Sequence, residues 1–244
     1  MLGEGMPKVC IPVMGKTIEE IGEAAKRAYQ ARADIIELRI DSFDSEPTAE
    51  AAIAACREVY RNAPGTPLIF TLRTERDGGA GSRNINKYEV LLNDICSMHA
   101  ADAIDCELSV GADAFVRITQ RAHEEGIAVI GSSHEFGRIG DMIQVGTWLS
   151  KQEELGADIC KAAVMTQTKA EAFEAAYVMA KADEQLSVPM IAIAMGPSGV
   201  LTRIGAECLG SCLTFGTAGA ASAPGQIDAR ELRSVLEIVH AAGK

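Results

Sequence analysis

The sequence predicts a (β/α)₈ TIM barrel that spans residues 1–244 as a single catalytic domain. Short β-rich apolar runs alternate with helix-length amphipathic segments along the whole chain, and no linker or low-complexity segment divides them. In addition, Ala-Asp opens a strand after a helix end in three places, a faint internal repeat. The eight predicted strands cover residues 9–14, 35–40, 68–72, 103–108, 128–132, 159–164, 190–195 and 213–217.

Composition excludes several classes of function. The net charge is −11, from 23 basic and 34 acidic residues, and no basic run could follow a phosphate backbone, so a nucleic-acid partner is not expected. No apolar run approaches the length of a membrane span, and the first residues lack the order of a signal peptide. The seven cysteines include no CxxC pair. We therefore expect a cytoplasmic protein with reduced thiols and no membrane contact.

The first helix has a clear start, because Thr17 and Glu20 match a capping box ahead of an apolar stripe. In a (β/α)₈ barrel the chemistry lies at the C-terminal ends of the strands, so those positions can be examined in turn. In strand two, Glu37 and Arg39 share one face, because strand side chains alternate. A carboxylate beside a guanidinium can hold hydroxyl groups or form a structural ion pair at the rim. Arg73, at the end of strand three, repeats the pattern.

Strands five and six supply an imidazole and an amine. His134 is one of four histidines and lies at a predicted strand end, whereas a packed or surface role is the more common one for a single histidine. No HxH or HExxH spacing exists, so a zinc site lacks its usual ligands and no metal is expected. Lys161 interrupts an apolar run, where its ammonium needs a partner or is used as a neutral amine. The structural alternative is that the aliphatic part of the Lys161 side chain packs against the protein while its ammonium group reaches water.

The last two strands carry candidates for binding an anion. Met195 ends strand seven and Arg203 follows it closely, while glycines at 196–199 and 216–219 could hold a phosphate, as many barrels do after these strands. Arg203 favours a carboxylate instead. Three arginines near one mouth, Arg39, Arg73 and Arg203, together with Lys161, indicate a small anion that carries several oxygens.

An amine and an imidazole on adjacent strands indicate imine chemistry. A lysine desolvated near other cations has its neutral form favoured and can attack a ketone. The protonated imine draws electrons from the neighbouring carbon, and a histidine can remove the proton there. Water can then leave from the next carbon.

The chain resembles the type I 3-dehydroquinate dehydratases, and the matching motifs occur in the same order over nearly the whole sequence. The motifs that carry it are residues 37–41 (ELRID), 71–74 (TLRT) with the glycines at 78 and 79, 133–136 (SHEF), 157–165 (ADICKAAVM) and 221–227 (ASAPGQI). The resemblance implies a hydro-lyase of the shikimate pathway that uses no cofactor. It also implies a cytoplasmic homodimer and a lid formed by residues 222–226.

The resemblance also implies a role for each site residue. Lys161 forms the Schiff base with the ring ketone of 3-dehydroquinate, and His134 is the general base that returns a proton to the leaving hydroxyl in a syn elimination. Met195 lines the pocket near the imine. The remaining residues bind substrate: Glu37, Arg39 and Arg73 the ring hydroxyls, and Arg203, Ser222 and Gln226 the carboxylate.

Two departures from the family pattern affect these expectations. Asp77 stands where the family usually has a glutamate beside the catalytic histidine, so it reaches His134 only through a backbone shift or a water, or else orients it weakly. The usual N-terminal hairpin has little room before strand one, so side chains would close the barrel floor instead. The competing interpretations are a Schiff-base aldolase acting on a phosphorylated sugar and a catalytically silent barrel that binds cyclic polyol acids.

Overall fold

The computed structural model describes residues 2–137, 141–219 and 225–243. Helices and strands alternate along it, joined by short loops and single 3₁₀ turns. The strands are β1 Lys8–Val13, β2 Ile35–Arg39, β3 Leu68–Thr71, β4 Ala103–Glu107, β5 Ala128–Glu135, β6 Ile159–Met165, β7 Met190–Met195, β8 Leu213–Thr217 and β9 Ile227–Asp228. The helices are α1 Ile18–Gln30, α2 Ala49–Asn62, α3 Ile85–Ser97, α4 Ala112–Glu124, α5 Ile143–Glu154, α6 Lys169–Asp183, α7 Val200–Ile204 and α8 Ala229–Ala242.

The described strands form one parallel sheet in the order β7-β6-β5-β4-β3-β2-β1-β8-β9. The ends of this order meet, because Met190 and Ser211 form a parallel bridge and the Cys212 backbone N–H donates to the Met190 carbonyl at 2.8 Å. Strands β1 to β8 therefore close into the predicted (β/α)₈ barrel, and the fold class is confirmed. The seam between β7 and β8 is joined near the N-terminal ends of these strands.

Alternation along each strand separates two cores. In β6, Cys160, Ala162 and Val164 face the helices, while Ile159 and Ala163 face the barrel axis. Near the N-terminal ends, the barrel interior is filled by a ring of buried apolar side chains that Leu2 covers from below: Cys10, Ile35, Ile69, Ile130, Ile159, Ile191 and Leu213. Apolar side chains thus fill this end of the barrel interior.

The outer helices begin where the sequence indicates. Helix α1 is capped by Thr17, whose hydroxyl accepts from the Glu20 backbone N–H at 3.3 Å, while the Glu20 carboxylate accepts from the Lys16 N–H at 2.7 Å. Its buried stripe includes Ile21, Ala25 and Ala28. Among the described residues, no helix is long and apolar enough to cross a membrane. The seven cysteines are free, and all except the exposed Cys208 are buried.

Several strand ends differ from the sequence prediction by a few residues; two of them, and one additional strand, change the placement of site residues. Strand β5 continues to Glu135, so His134 lies inside a strand rather than after it. Strand β3 ends at Thr71, so Arg73 lies in the following loop. The short β9, which the sequence did not indicate, pairs with the end of β8 and brings the adjacent Gln226 to the barrel mouth.

Candidate active site

A layer of buried charge lies directly above the apolar ring of the barrel interior. The inward positions of β2, β4 and β6 that follow the ring residues carry Glu37, Asp105 and Lys161, each at most 4% exposed. Charged side chains here have lost nearly all hydration, so they persist only because they pair with one another.

The amine of Lys161 lies between two carboxylates. Its Nζ donates to Glu37 Oε1 at 3.2 Å and to Asp105 Oδ2 at 3.1 Å, and it stands 4.9 Å from the centre of the Phe215 ring. The direct contacts of this amine are therefore carboxylates, while the arginines that the sequence places near the same barrel mouth line the same cavity. Gln152 of α5 fixes the strand at this point, since its side chain accepts from the Lys161 backbone N–H and donates to the Lys161 carbonyl.

The guanidinium of Arg73 is the centre of a second cluster. Nη1 donates to Glu107 Oε1 at 2.8 Å and to the Ser132 hydroxyl at 3.0 Å, and Nη2 donates to Asp105 Oδ2 at 2.8 Å. Asp105 Oδ2 thus accepts from both Arg73 and Lys161. Burial raises the pKa of Asp105, but the nearby Arg73 and Lys161 outweigh it and hold that pKa well below its usual range. For Glu107 burial prevails over Arg73, and the pKa is raised.

The expected pair of Glu37 with Arg39 is replaced by two other pairs. Arg39 forms a bidentate ion pair with Asp41: Nε donates to Oδ1 at 2.8 Å and Nη2 donates to Oδ2 at 2.8 Å. Glu37 instead accepts from Lys161 and from the Thr71 hydroxyl at 3.1 Å. Burial opposes ionisation of Glu37, but Lys161 and Arg39 prevail and its pKa is lowered. Two of the three expected anion-binding arginines, Arg39 and Arg73, are thus held by carboxylates of the protein.

His134 contacts Asp77 directly. Asp77 Oδ2 lies 3.2 Å from His134 Nδ1 and accepts from the His134 backbone N–H at 3.0 Å, without an intervening water. The loop that follows Asp77 packs tightly against its surroundings, since a Cβ on Gly79 would collide with the Arg73 carbonyl oxygen and one on Gly78 with the Phe136 ring. A hydrogen on Nδ1 shared with the carboxylate leaves Nε2 as the basic nitrogen. Burial and the neighbouring Arg73 lower the pKa of His134 to about 4.

A cavity of about 100 Å³ opens above these groups at the barrel mouth. Its walls contain the sequence-predicted residues that the structure describes: Glu37, Arg39, Arg73, Asp77, His134, Lys161, Met195, Arg203 and Gln226. Burial lowers the pKa of Arg203 to about 10. Ser222, the remaining predicted carboxylate ligand, lies outside the described residues. The cavity therefore brings an amine, an imidazole and several hydrogen-bonding groups together.

Sequence reasoning missed the acidic residues of strand four and the ring over the amine. Asp105 and Glu107 alternate in that strand like Glu37 and Arg39 in strand two, and this spacing could have identified them. Phe215, inside an apolar run, gave no comparable signal. Among the described residues, no group of three or more His, Cys, Asp or Glu side chains is arranged to hold a metal.

Comparison with known proteins places this geometry in context. The family model for type I 3-dehydroquinase matches residues 9–242. The chain is 37% identical to the 3-dehydroquinate dehydratase of Salmonella choleraesuis (strain SC-B67), over 99% of this chain and 96% of that protein.

Solved structures give the same relationship. A type I 3-dehydroquinate dehydratase from Clostridium difficile, solved with covalently modified comenic acid, superposes with a TM-score of 0.94 at 33% identity, covering 99% of this chain and 95% of that one. The 3-dehydroquinate dehydratase of Geobacillus kaustophilus HTA426 gives 0.93 at 29% identity, with coverages of 98% and 93%. The likeness thus extends over the whole barrel, including the strands that carry the site.

Proposed function

The chain belongs to the type I 3-dehydroquinase family, and from this premise we propose that it converts 3-dehydroquinate to 3-dehydroshikimate and water. The enzyme is then a hydro-lyase of the shikimate pathway, which leads to the aromatic amino acids. The observation that carries the proposal is the buried amine of Lys161, which faces the same small cavity as His134 and its partner Asp77. A barrel that only bound its ligand would have no need of this amine.

The first step forms an imine between Lys161 and the ring ketone. The amine attacks only after a proton leaves Nζ, and Glu37, which lines the cavity 3.2 Å away, is placed to accept that proton. Two hydrogens leave the nitrogen with the ketone oxygen as water, so the ammonium becomes an iminium and the positive charge stays on nitrogen.

The second step removes water from the ring. Neutral His134 takes a proton from the carbon next to the iminium, and the electron pair moves toward the nitrogen to form an enamine. The same imidazolium then returns its proton to the hydroxyl that leaves from the next carbon. Because one residue carries out both proton transfers on one face of the ring, the elimination is syn. Hydrolysis of the product imine restores Lys161.

Binding roles follow from the two ends of the cavity. Glu37, Arg39 and Arg73 border the polar end, where ring hydroxyls can exchange hydrogen bonds with groups already fixed by Asp41 and by the acidic residues of β4. Arg203 and Gln226 border the other end and are assigned to the substrate carboxylate, together with Ser222. Local positive charge is needed there, since the protein's net charge of −11 repels an anion.

We also propose that the protein works in the cytoplasm as a homodimer and needs no added cofactor or metal. These expectations come from the family resemblance. Light scattering coupled to size-exclusion chromatography gives the mass of the particle in solution, and a mass near 25.8 kDa, that of one chain, would contradict the dimer. Full activity after dialysis against a chelator checks the cofactor expectation.

The decisive experiment incubates the protein with 3-dehydroquinate and borohydride and measures its intact mass. We expect a stable reduced adduct that peptide mapping locates on Lys161, and none with Lys161→Arg, which keeps a cation but cannot form an imine. Folded protein that gives no adduct and leaves the substrate unchanged would overturn the proposal. An adduct obtained only with a phosphorylated sugar would point to an aldolase instead.

A further inference from the structure

Asp105 contacts the reacting nitrogen but is not among the residues that line the cavity. Its side chain is 1% exposed, and Oδ2 accepts from Lys161 Nζ at 3.1 Å and from Arg73 Nη2 at 2.8 Å. The other oxygen, Oδ1, accepts from the Ser132 hydroxyl at 2.6 Å. Both oxygens are therefore anchored, one by Arg73 of the loop after β3 and one by Ser132 of β5, and the carboxylate approaches the amine from behind, away from substrate.

Glu37, the other carboxylate at the amine, is placed differently. It lines the cavity and is bound on the protein side by the Thr71 hydroxyl at 3.1 Å. A bound ring with several hydroxyls competes with Lys161 for its oxygens. The two carboxylates that share the ammonium in the empty site are thus not equivalent once substrate is present.

The number of hydrogens on Nζ limits how many carboxylates can remain hydrogen-bonded to it after the imine forms. The ammonium has three N–H bonds and can serve both carboxylates, as it does here. In the step R–NH₃⁺ + O=C → R–NH⁺=C + H₂O, two hydrogens leave with the ketone oxygen, and one N–H with the full positive charge remains. A buried cation requires an ionised acceptor close by, and a single N–H can serve only one.

We propose that Asp105 is a further catalytic residue, which accepts the one N–H of the iminium and holds its charge while Glu37 turns to the substrate hydroxyls. This inference rests on the imine mechanism of the proposed function. Because Asp105 lies behind the amine, it stays in contact with the nitrogen in every intermediate. Its hydrogen bonds with Arg73 and Ser132 keep it in place when the substrate ring moves.

The test uses a His134→Ala background, in which the imine is expected to accumulate because its proton cannot be removed. Into this background Asp105→Asn is introduced, which keeps the shape of the side chain and removes its charge. When the variant is equilibrated with 3-dehydroquinate and then given a brief pulse of borohydride, the fraction trapped as reduced adduct should fall by roughly tenfold or more. The dissociation constant of the alcohol analogue, which has a hydroxyl in place of the ketone and cannot form an imine, should change by less than about threefold.

Glu107→Gln is the matched control, because it removes the other carboxylate partner of Arg73 and makes no contact with Lys161 Nζ. Its adduct yield should exceed that of Asp105→Asn by about fivefold or more. The iminium C=N stretching band offers a second measurement. Its downshift on deuteration reports the N–H hydrogen bond, and this downshift should be smaller in Asp105→Asn than in Glu107→Gln.

Each other result has a definite meaning. Equal adduct yields in Asp105→Asn and Glu107→Gln would overturn the role of Asp105 and leave the imine mechanism intact. Parallel loss of adduct and of analogue binding would assign Asp105 a purely structural role and overturn the inference as well. Failure of the His134→Ala parent to form any adduct would overturn the imine mechanism, and this inference with it.

Discussion

The two walls of the cavity differ in the side chains that form them: one is charged and the other is apolar. The wall from β2 to β6 carries the charged groups, and its ammonium, guanidinium and carboxylate groups are joined in ion pairs centred on Arg73 and Lys161. The strand residues Pro12, Ile193, Met195 and Phe215 of β1, β7 and β8 form an apolar wall, while the polar Arg203 and Gln226 reach the cavity from the segments that follow β7 and β8. The polar wall holds reacting groups in place, and the apolar wall keeps water from weakening their interactions.

This difference explains how a strongly acidic barrel can hold so many buried charges. A desolvated charge needs a partner at close range, and the polar wall supplies several through alternate positions of neighbouring strands. The apolar wall has no such requirement, since its side chains are part of the interior core that begins at the barrel floor. Substitutions on the polar wall should therefore have large, specific effects on turnover, and those on the apolar wall smaller ones.

The largest effect is expected from Lys161→Ala. Turnover should fall below detection, because among the described residues that line the cavity no other side chain carries an amine. Stability should also fall by about 3–5 kcal/mol, since Glu37 and Asp105 lose their shared cation. Activity assays and urea denaturation measure the two effects. Lys161→Arg is the control, expected to be inactive but more stable than Lys161→Ala, and measurable turnover in either variant would contradict the role of Lys161.

His134→Ala should lower kcat by about 10²–10⁴-fold, the usual contribution of a general base. Imine formation and proton removal are separate steps, so the variant should still be trapped by borohydride. Single-turnover assays and intact mass after reduction test this. Near-normal turnover would mean that another group on the polar wall removes the proton.

The pH dependence of the enzyme is the next test of the polar wall. Neutral His134 is the active base, and because its pKa is lowered to about 4, kcat/KM should hold down to about pH 5 and decline as pH falls through about 4. An ordinary histidine would give a decline near 6.5. The pH–rate profile measures this directly, and a decline centred above pH 6 would contradict it.

The variant Asp77→Asn tests the origin of the His134 pKa through the same pH–rate profile. The hydrogen bond that His134 donates to Asp77 raises the pKa of His134 against burial and Arg73, so its loss should move the acid decline to lower pH. Loss of orientation should reduce kcat by roughly 10–100-fold. Asp77→Glu, which introduces the side chain usual in the family, should keep kcat well above that of Asp77→Asn. Equal activity in the two variants would mean that Asp77 does not orient the imidazole.

The smallest effect is expected on the apolar wall. Phe215→Leu removes the ring that lies 4.9 Å from Lys161 Nζ but keeps an apolar side chain. Loss of this cation–π contact should lower kcat by about 3- to 10-fold. Met195→Leu on the same wall contributes no ring and should change kcat by less than about twofold. A loss as large as that of His134→Ala would contradict the division between the two walls.

The fold and the inward-facing charged residues of the strands were largely predictable from periodic patterns, whereas Asp77, Ser222 and Gln226 were assigned through the family resemblance. Alternation of side chains places Glu37 and Lys161 inside the barrel, and the ends of parallel strands meet at one mouth. Asp105 and Glu107 obey the same alternation and could have been predicted in that way. The boundaries of β3 and β5 could not, because strand ends depend on pairing with neighbours.

The sequence by itself determined the barrel, its order of strands and which polar side chains face the interior, since these depend on local patterns along the chain. Only the tertiary structure decided the pairing of charges. Arg39 contacts Asp41 rather than Glu37, and Lys161 lies between carboxylates of β2 and β4 rather than among cations. Pairing depends on strand register and on distances across the barrel, and a desolvated charge takes whichever opposite charge these bring within reach.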